Sequence, residues 1–355
     1  MAIKPAWTAG LSFVLLLLVC SGLVSSEVYH IQSSPSDSCP AEPCLTLSQF
    51  ANNSSNYVSI NTTLLFLPGN HSLESELLVT NISMASMISR FTNASSTVIT
   101  CNHLGRLDIA HVSVVYISGL TFVGCAGNRV DSVDRFTLEE SSFIGQEDVS
   151  GTALTLVESS ACLIKSFLSN NRGSNNHRSI ECHDYYYSRS ARKVDTWVGG
   201  AIVSTSSNVT FIESRFEENS AEVGGVIFSE LHSNIIIINT TFIGNHADIN
   251  TKYVHCPGGG VLYTENGGTV MIRNSHFIQN SANFSSRGGV LAGANNTTIT
   301  ITDSEFTSNS GARGGGVVAA WGATNTTITI TDSEFASNSA AGWGGGVVDL
   351  SLIHI

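Results

Sequence analysis

Two stretches near the end of the chain are almost identical. Thr297–Asn309 reads TTITITDSEFTSN and Thr326–Asn338 reads TTITITDSEFASN, 29 residues further on. Each runs into a glycine run and two valines, Gly314–Val318 and Gly344–Val348. Weaker copies precede them: Phe277–Asn280 leads to Gly288–Leu291, Phe242–Asn245 to Gly258–Leu262, and Phe216–Asn219 to Gly224–Ile227. Further back, Phe167–Asn170 keeps the Phe-x-x-Asn spacing and is followed by Gly199–Ile202 after a long insertion. Phe143 and Phe122 keep only the aromatic. A unit this short cannot bury an apolar face alone, so repetition at this period commits the chain to stacking.

Within a unit, Ile299 and Ile301, then Ile328 and Ile330, alternate with threonine. This is the period of two of a half-buried strand, filled with β-branched residues. A chain that climbs one strand spacing (~4.8 Å) per turn sets equivalent residues above one another. Phe122 through Phe335 then form an internal aromatic column, regular at Phe216, Phe242, Phe277, Phe306 and Phe335. Asn219, Asn245, Asn280, Asn309 and Asn338 stack as an amide ladder at a turn, where asparagine tolerates left-handed backbone. The Gly-Gly pairs read as suppliers of positive φ at the next corner. The expected fold is all-β, a single-stranded right-handed parallel β-helix of about ten coils with an N-terminal cap.

Composition narrows the function classes. Charged residues make up only 12% and apolar ones 42%, with 16 Phe, so the chain is not disordered. Net charge is −12 and no basic run occurs, which excludes a nucleic-acid surface.

Residues 1–26 read as a secretory signal: Lys4, the apolar run Leu11–Cys20, then the small residues Val24, Ser25 and Ser26. Residues 27–57 form the cap region, in which Leu45, Leu47, Phe50 and Ala51 fit a short helix over Cys44–Ala51. Residues 58–349 form the β-helix, which stops without a cap and reads as truncated. Residues 350–355, LSLIHI, resemble the translation of a common sequencing adapter. No later run in the mature chain is long enough for a transmembrane helix.

Seven cysteines remain after the signal. Cys101 and Cys125 are one coil apart, within disulfide reach. Cys182 and Cys256 lie in insertions that leave the same corner, after Asn171 and Asn245, and are expected to form a second disulfide, and Cys39 and Cys44 a third that closes a small loop. Cys162 is left alone. Candidate glycosylation sequons include Asn61, Asn81, Asn208, Asn239, Asn296 and Asn325.

The Phe-x-x-Asn…Gly-Gly-[Ala/Val]-[Ile/Leu/Val] unit, from Phe167 to Val348, resembles the repeat of the chlamydial polymorphic outer-membrane proteins. Secreted animal proteins, notably from sponges, look similar, including the CLTLSQFA opening. The resemblance implies a pectin-lyase-like β-helix and an envelope or extracellular location. Polysaccharide lyases and hydrolases share that fold, so an active site has to be sought.

No Asp-Asp pair and no Gly-His-Gly occurs, so no catalytic residue is assigned and the chain is expected not to be an enzyme. Asp303 with Asp332 and Glu305 with Glu334 stack on neighbouring coils as solvated repeat positions, or as an acidic strip for calcium or a glycan. Zinc through Cys182, His183, His255 and Cys256 lacks paired-cysteine spacing, and secreted thiols oxidise, so no metal and no cofactor is assigned. Tyr185–Tyr187 offer an aromatic loop surface. The expected role is a secreted or cell-surface non-enzymatic scaffold for adhesion or recognition of a protein or glycan. The alternatives are a carbohydrate-active β-helix enzyme and an outer-membrane autotransporter passenger.

Overall fold

The computed structural model describes residues 27–349, apart from 35–43, 54–60, 90–95, 103–104, 126, 146–151, 174–176, 185–190, 250–253, 256–257, 285–287, 294, 313–314, 321–324 and 342–344. The signal segment, Cys39, Tyr185–Tyr187, Cys256 and residues 350–355 therefore lie outside the described residues.

The chain winds as a right-handed parallel β-helix. Among the described residues, sheet 1 has twelve strands and sheets 2 and 3 have ten each, all parallel within a sheet. One coil shows the order. Thr297–Thr302 lies in sheet 1, Glu305–Thr307 in sheet 2, Ser310–Gly311 in the five-stranded sheet 4, and Val318–Ala319 in sheet 3. The chain then re-enters sheet 1 as Thr327–Thr331, in register with the strand it left. The alternation seen in the sequence sets the burial: Ile299 and Ile301 are fully buried while Thr298 faces out.

The interior is built of columns. Phe216, Phe242, Phe277, Phe306 and Phe335 stack with centroids 4.6 to 5.0 Å apart and planes within 6°. Phe122 and Phe143 stack at 4.6 Å. Between these two sets the column is filled by Leu168, the register partner of both Phe143 and Phe216. The Phe-x-x-Asn reading of Phe167–Asn170 is therefore one residue out of register. Phe167 sits on the outer row and Asn171, not Asn170, enters the amide ladder.

The amide ladder uses every polar atom. Asn280 Nδ2 donates to Asn309 Oδ1 at 3.0 Å and to the Phe242 carbonyl at 3.1 Å. Asn280 Oδ1 accepts from Asn245 N at 3.1 Å and Asn245 Nδ2 at 2.9 Å. The pattern runs from Asn171 to Asn338, and the left-handed corner belongs to the preceding residue, such as Gln279 or Ser308. Two further corners carry hydroxyl ladders. Ser166, Ser214, Thr240, Ser275 and Ser304 each donate a backbone N–H to the hydroxyl of the next coil. Val133, Ser159 and Ser207 do the same toward Ser159, Ser207 and Ser233.

The glycine column has a different reason from the one expected. Gly199 and Gly224 have positive φ, but a Cβ on Gly225, Gly260, Gly289 or Gly316 would meet the carbonyl oxygen of the next coil's glycine at 2.1 to 2.2 Å. Close approach of stacked backbones excludes a side chain there.

At the N-terminal end, helix α1 (Leu47–Asn52) buries Leu47, Phe50 and Ala51 against the first coils. Thr46 and Gln49 form a reciprocal capping box, which fixes the start at Leu47, and Cys44–Thr46 is strand instead of helix. Glu27–Gln32, within the expected cap region, is itself a sheet 1 strand paired with Asn61–Phe66.

Candidate functional site

The surface available for function is set by which residues alternate outward. On sheet 1 the outer row in the last coils is polar and repeats in register. Thr298, Thr300 and Thr302 stand against Thr327, Thr329 and Thr331. Thr331 Oγ1 donates to Thr302 Oγ1 at 3.4 Å, and Asn325 Nδ2 to Asn296 Oδ1 at 3.2 Å. The preceding coils continue it: Thr269 Oγ1 donates to Asn234 Oδ1, Asn234 Nδ2 to Asn208 Oδ1, and Asn274 Nδ2 to Asn239 Oδ1, each at 2.7 Å. The result is one outer row of hydroxyls and carboxamides, Asn208, Asn234, Thr269, Thr298 and Thr327, that recurs on each coil. The rows of Thr300 and Thr302 are polar in the last two coils and continue backward as Met271 and Ile236 and as Arg273 and Ile238. In one unit's sequence these threonines read as strand texture, and only the stacked register makes them a surface.

The acidic residues sit beside this field. Asp303 and Asp332 occupy left-handed corners (φ of 51° and 48°), a conformation aspartate tolerates. Glu305 and Glu334 are register partners on the outer row of sheet 2. Arg273 Nε lies 3.9 Å from Asp303 Oδ2, and His276 Nδ1 lies 3.1 Å from Glu305 Oε2. The preceding coil thus offers a nitrogen donor to each carboxylate of the inner pair. These exposed contacts contribute little to stability.

The cysteines fall into three situations. Cys101 and Cys125 are bonded, with Cα atoms 4.9 Å apart and 24 residues between them in sequence. Strand Thr121–Val123 pairs with Val98–Thr100, so the register partner of Cys101 is Gly124, whose φ of 67° turns the chain to present Cys125. Cys44 is also disulfide-bonded. Cys162 is a free thiol on sheet 1, in register with Thr137 and Thr210, and burial followed by the Glu139 charge pushes its pKa up.

The two insertions meet. His177–Asp184 and Ala191–Trp197 form an antiparallel hairpin, and Val254–His255 adds to it through His183 opposite His255. Residues next to Cys182 and Cys256 in sequence are thereby paired. His246, at the start of the second insertion, belongs to strand His246–Ile249 of sheet 4.

Of the candidate glycosylation sites, Asn81, Asn208, Asn239, Asn296 and Asn325 are exposed. Asn61 differs from them: only 8% exposed, it begins a strand held between Glu27–Gln32 and Met84–Ser89.

No known family's sequence profile matches the chain, and no curated protein matches it. Among solved structures it is similar to a rhamnogalacturonan lyase (12% identity, TM-score 0.36, covering 88% of this chain and 87% of that one). It is also similar to the catalytic domain of a GH87 α-1,3-glucanase in complex with nigerose (9%, 0.37, 91% and 68%). A third is PfbA, a surface adhesin of Streptococcus pneumoniae (8%, 0.26, 84% and 88%). These likenesses concern the fold alone. The expectation that the chain is not an enzyme is nevertheless corrected: the β-helix is shared with a lyase and a glucanase, so the architecture does not separate scaffold from catalyst. Among the described residues, no helix is long and apolar enough to cross a membrane.

Proposed function

We propose that the protein is a secreted or cell-surface β-helix whose outer sheet 1 face serves adhesion or recognition of a protein or glycan ligand. The observation that carries this reading is the in-register field of Thr298, Thr300, Thr302, Thr327, Thr329 and Thr331 with the Asn296–Asn325 and Asn208–Asn234–Thr269 ladders beside it. A surface whose row from Asn208 to Thr327 sets one hydroxyl or carboxamide per coil, widened to three threonines in each of the last two coils, is complementary to a ligand that repeats. The test is a glycan and matrix-protein array probed with the full chain and with the double variant Thr300→Lys, Thr329→Lys. These outward substitutions leave the core intact. Binding that falls at least tenfold supports the reading; binding unchanged in the variant sinks it.

A carbohydrate-active role is the second reading. The observation that favours it is an imidazole and a carboxylate, His246 and Asp248, side by side on the open face of sheet 4.

A further inference from the structure

Sheet 4 is the short sheet between the amide ladder and the glycine column. Its strands are Ser220–Ala221, His246–Ile249, Ser281–Phe284, Ser310–Gly311 and Ser339–Ala340, all parallel and in register. Ala221, Ala247 and Ala282 point into the core, so their neighbours His246, Asp248, Ser281 and Asn283 share the outer face. There His246 stands opposite Ser281, and Asp248 opposite Asn283. Asn283 Nδ2 donates to His246 Nε2 at 3.3 Å, so Nε2 is the ring's acceptor and carries no proton. The ring proton is on Nδ1, which donates to Ser281 Oγ at 2.7 Å. Asp248 Oδ2 lies 3.8 Å from Nε2, too far for a hydrogen bond, and Asp248 Oδ1 is shielded from solvent without a hydrogen-bond partner.

Three acceptors, Nε2 and the two Asp248 oxygens, thus gather around a single amide donor. A surplus of acceptors, one of them shielded from water, is what a bound cation satisfies. The spacing agrees. Two ligand atoms held by a tetrahedral zinc ion at ~2.1 Å stand ~3.4 Å apart. The separations from Nε2, 3.3 Å to the amide and 3.8 Å to the carboxylate, bracket that value. We propose that His246, Asp248 and Asn283 form a zinc-binding site on the outer face of sheet 4. His246 gives the lone pair of Nε2 and Asp248 a carboxylate oxygen. Half a turn of the Asn283 carboxamide replaces Nδ2 by Oδ1 and makes it the third ligand. Ser281 holds the ring through the Nδ1–H bond, the outer support that a metal-bound imidazole uses. An imidazole in the set selects zinc over calcium, which takes oxygen ligands. The His246 side chain is 30% and the Asp248 side chain 44% exposed, so water reaches the fourth position. None of these residues belongs to the Cys182, His183, His255 and Cys256 set of the insertions.

The inference is independent of the recognition face on sheet 1, and His246→Ala should leave binding there unchanged. The test titrates zinc chloride into the full chain by calorimetry, in a Cys162→Ser background so that the free thiol cannot take the ion. Zinc should bind and raise the thermal unfolding midpoint, and calcium chloride should do neither. His246→Ala should abolish zinc binding, and Ser281→Ala should weaken it roughly tenfold by releasing the ring. Asn283→Asp should tighten it, because a carboxylate oxygen replaces the amide oxygen, a gain that a purely structural amide would not give. His255→Ala should leave it unchanged. Circular dichroism of the metal-free variants checks that the coils persist. No zinc binding in the background chain overturns the proposal. So does calcium bound as tightly as zinc, equal zinc binding in His246→Ala, or weaker binding in Asn283→Asp.

Discussion

The coils from Asn61 to Asp131 and those from Asn208 to Ala340 solve the same packing problem differently. In the later coils the repeated buried groups meet their own copies one turn away: Phe on Phe, carboxamide on carboxamide, N–H on hydroxyl. In the early coils the same interior column holds His71, Ile99 and Phe122 in succession. Asn128 there bonds three unlike partners, accepting from Leu107 N at 2.8 Å and donating to the carbonyls of Cys125 at 3.2 Å and Ala153 at 2.7 Å. A disulfide and the Arg106–Glu76 pair tie neighbouring coils. Translational repetition lets one sound solution serve every turn. Where the sequence does not repeat, each coil needs its own device, and one of these is covalent.

The comparison breaks most visibly at the aromatic column. Phe306 is fully buried between two stacked rings, and Phe306→Ala should cost about 3–5 kcal/mol in denaturant unfolding. A loss below about 1 kcal/mol would mean that the column is not the core of the later coils. Asn280→Ala leaves Asn245 N and Nδ2 without that acceptor in a buried site and should cost about 3 kcal/mol. In the early coils, replacing Cys101 and Cys125 together by alanine should cost about 3 kcal/mol by releasing a loop of 24 residues in the unfolded chain. Protease cleavage should then move to the early coils; cleavage still confined to the later coils would reverse the assignment. Ser275→Ala removes one hydroxyl rung and should cost only about 1 kcal/mol.

The smallest effect is a pH dependence at the early coils. Burial, then the neighbouring Glu76, raises the pKa of Asp108, while the hydrogen bond from Arg106 lowers that of Glu76. A carboxyl whose folded pKa is raised makes the protein less stable as pH climbs through that pKa. Asp108→Asn should therefore gain slightly on the wild type above the aspartate range and lose the advantage in acid. Glu76 works in the opposite sense, its contribution fading as pH falls through its lowered pKa. Equal stability of the two chains across acid titration would show that the Asp108 environment is not carried into solution.

Most of the architecture was legible because the repeat wrote it several times over. Phe216 to Phe335 and Asn219 to Asn338 recur at a fixed distance from each other, so their columns follow from the coil alone. The Phe167 register was not legible, because Leu168–Asn171 differs from Phe167–Asn170 by one step and the insertion that follows hides the coil length. The hydroxyl ladders escaped because serine is abundant and a single Ser275 or Ser304 looks like any turn residue. The glycine column was recognised for only part of its reason: Gly199 and Gly224 do take positive φ, but close backbone contact between coils leaves no mark in one coil's sequence. The sheet 4 cluster was invisible for a related cause. His246 and Asp248 share one strand, but Ser281 is 35 residues from His246 on the next coil, and only the register brings it to their face.

The account rests on coil register, and one cross-linking measurement addresses it. Thr300 and Thr329 are register partners on the open face of sheet 1, whereas Thr331 lies two residues along the same strand. With Cys162 replaced by serine, the cysteine pair Thr300→Cys, Thr329→Cys should be joined by a short thiol-to-thiol reagent. The pair Thr300→Cys, Thr331→Cys should react much more slowly under the same conditions. Peptide mapping that finds the Thr300–Thr329 link dominant is the predicted result. A dominant Thr300–Thr331 link, or no link in either pair, would contradict the stacked register on which every column and face described above depends.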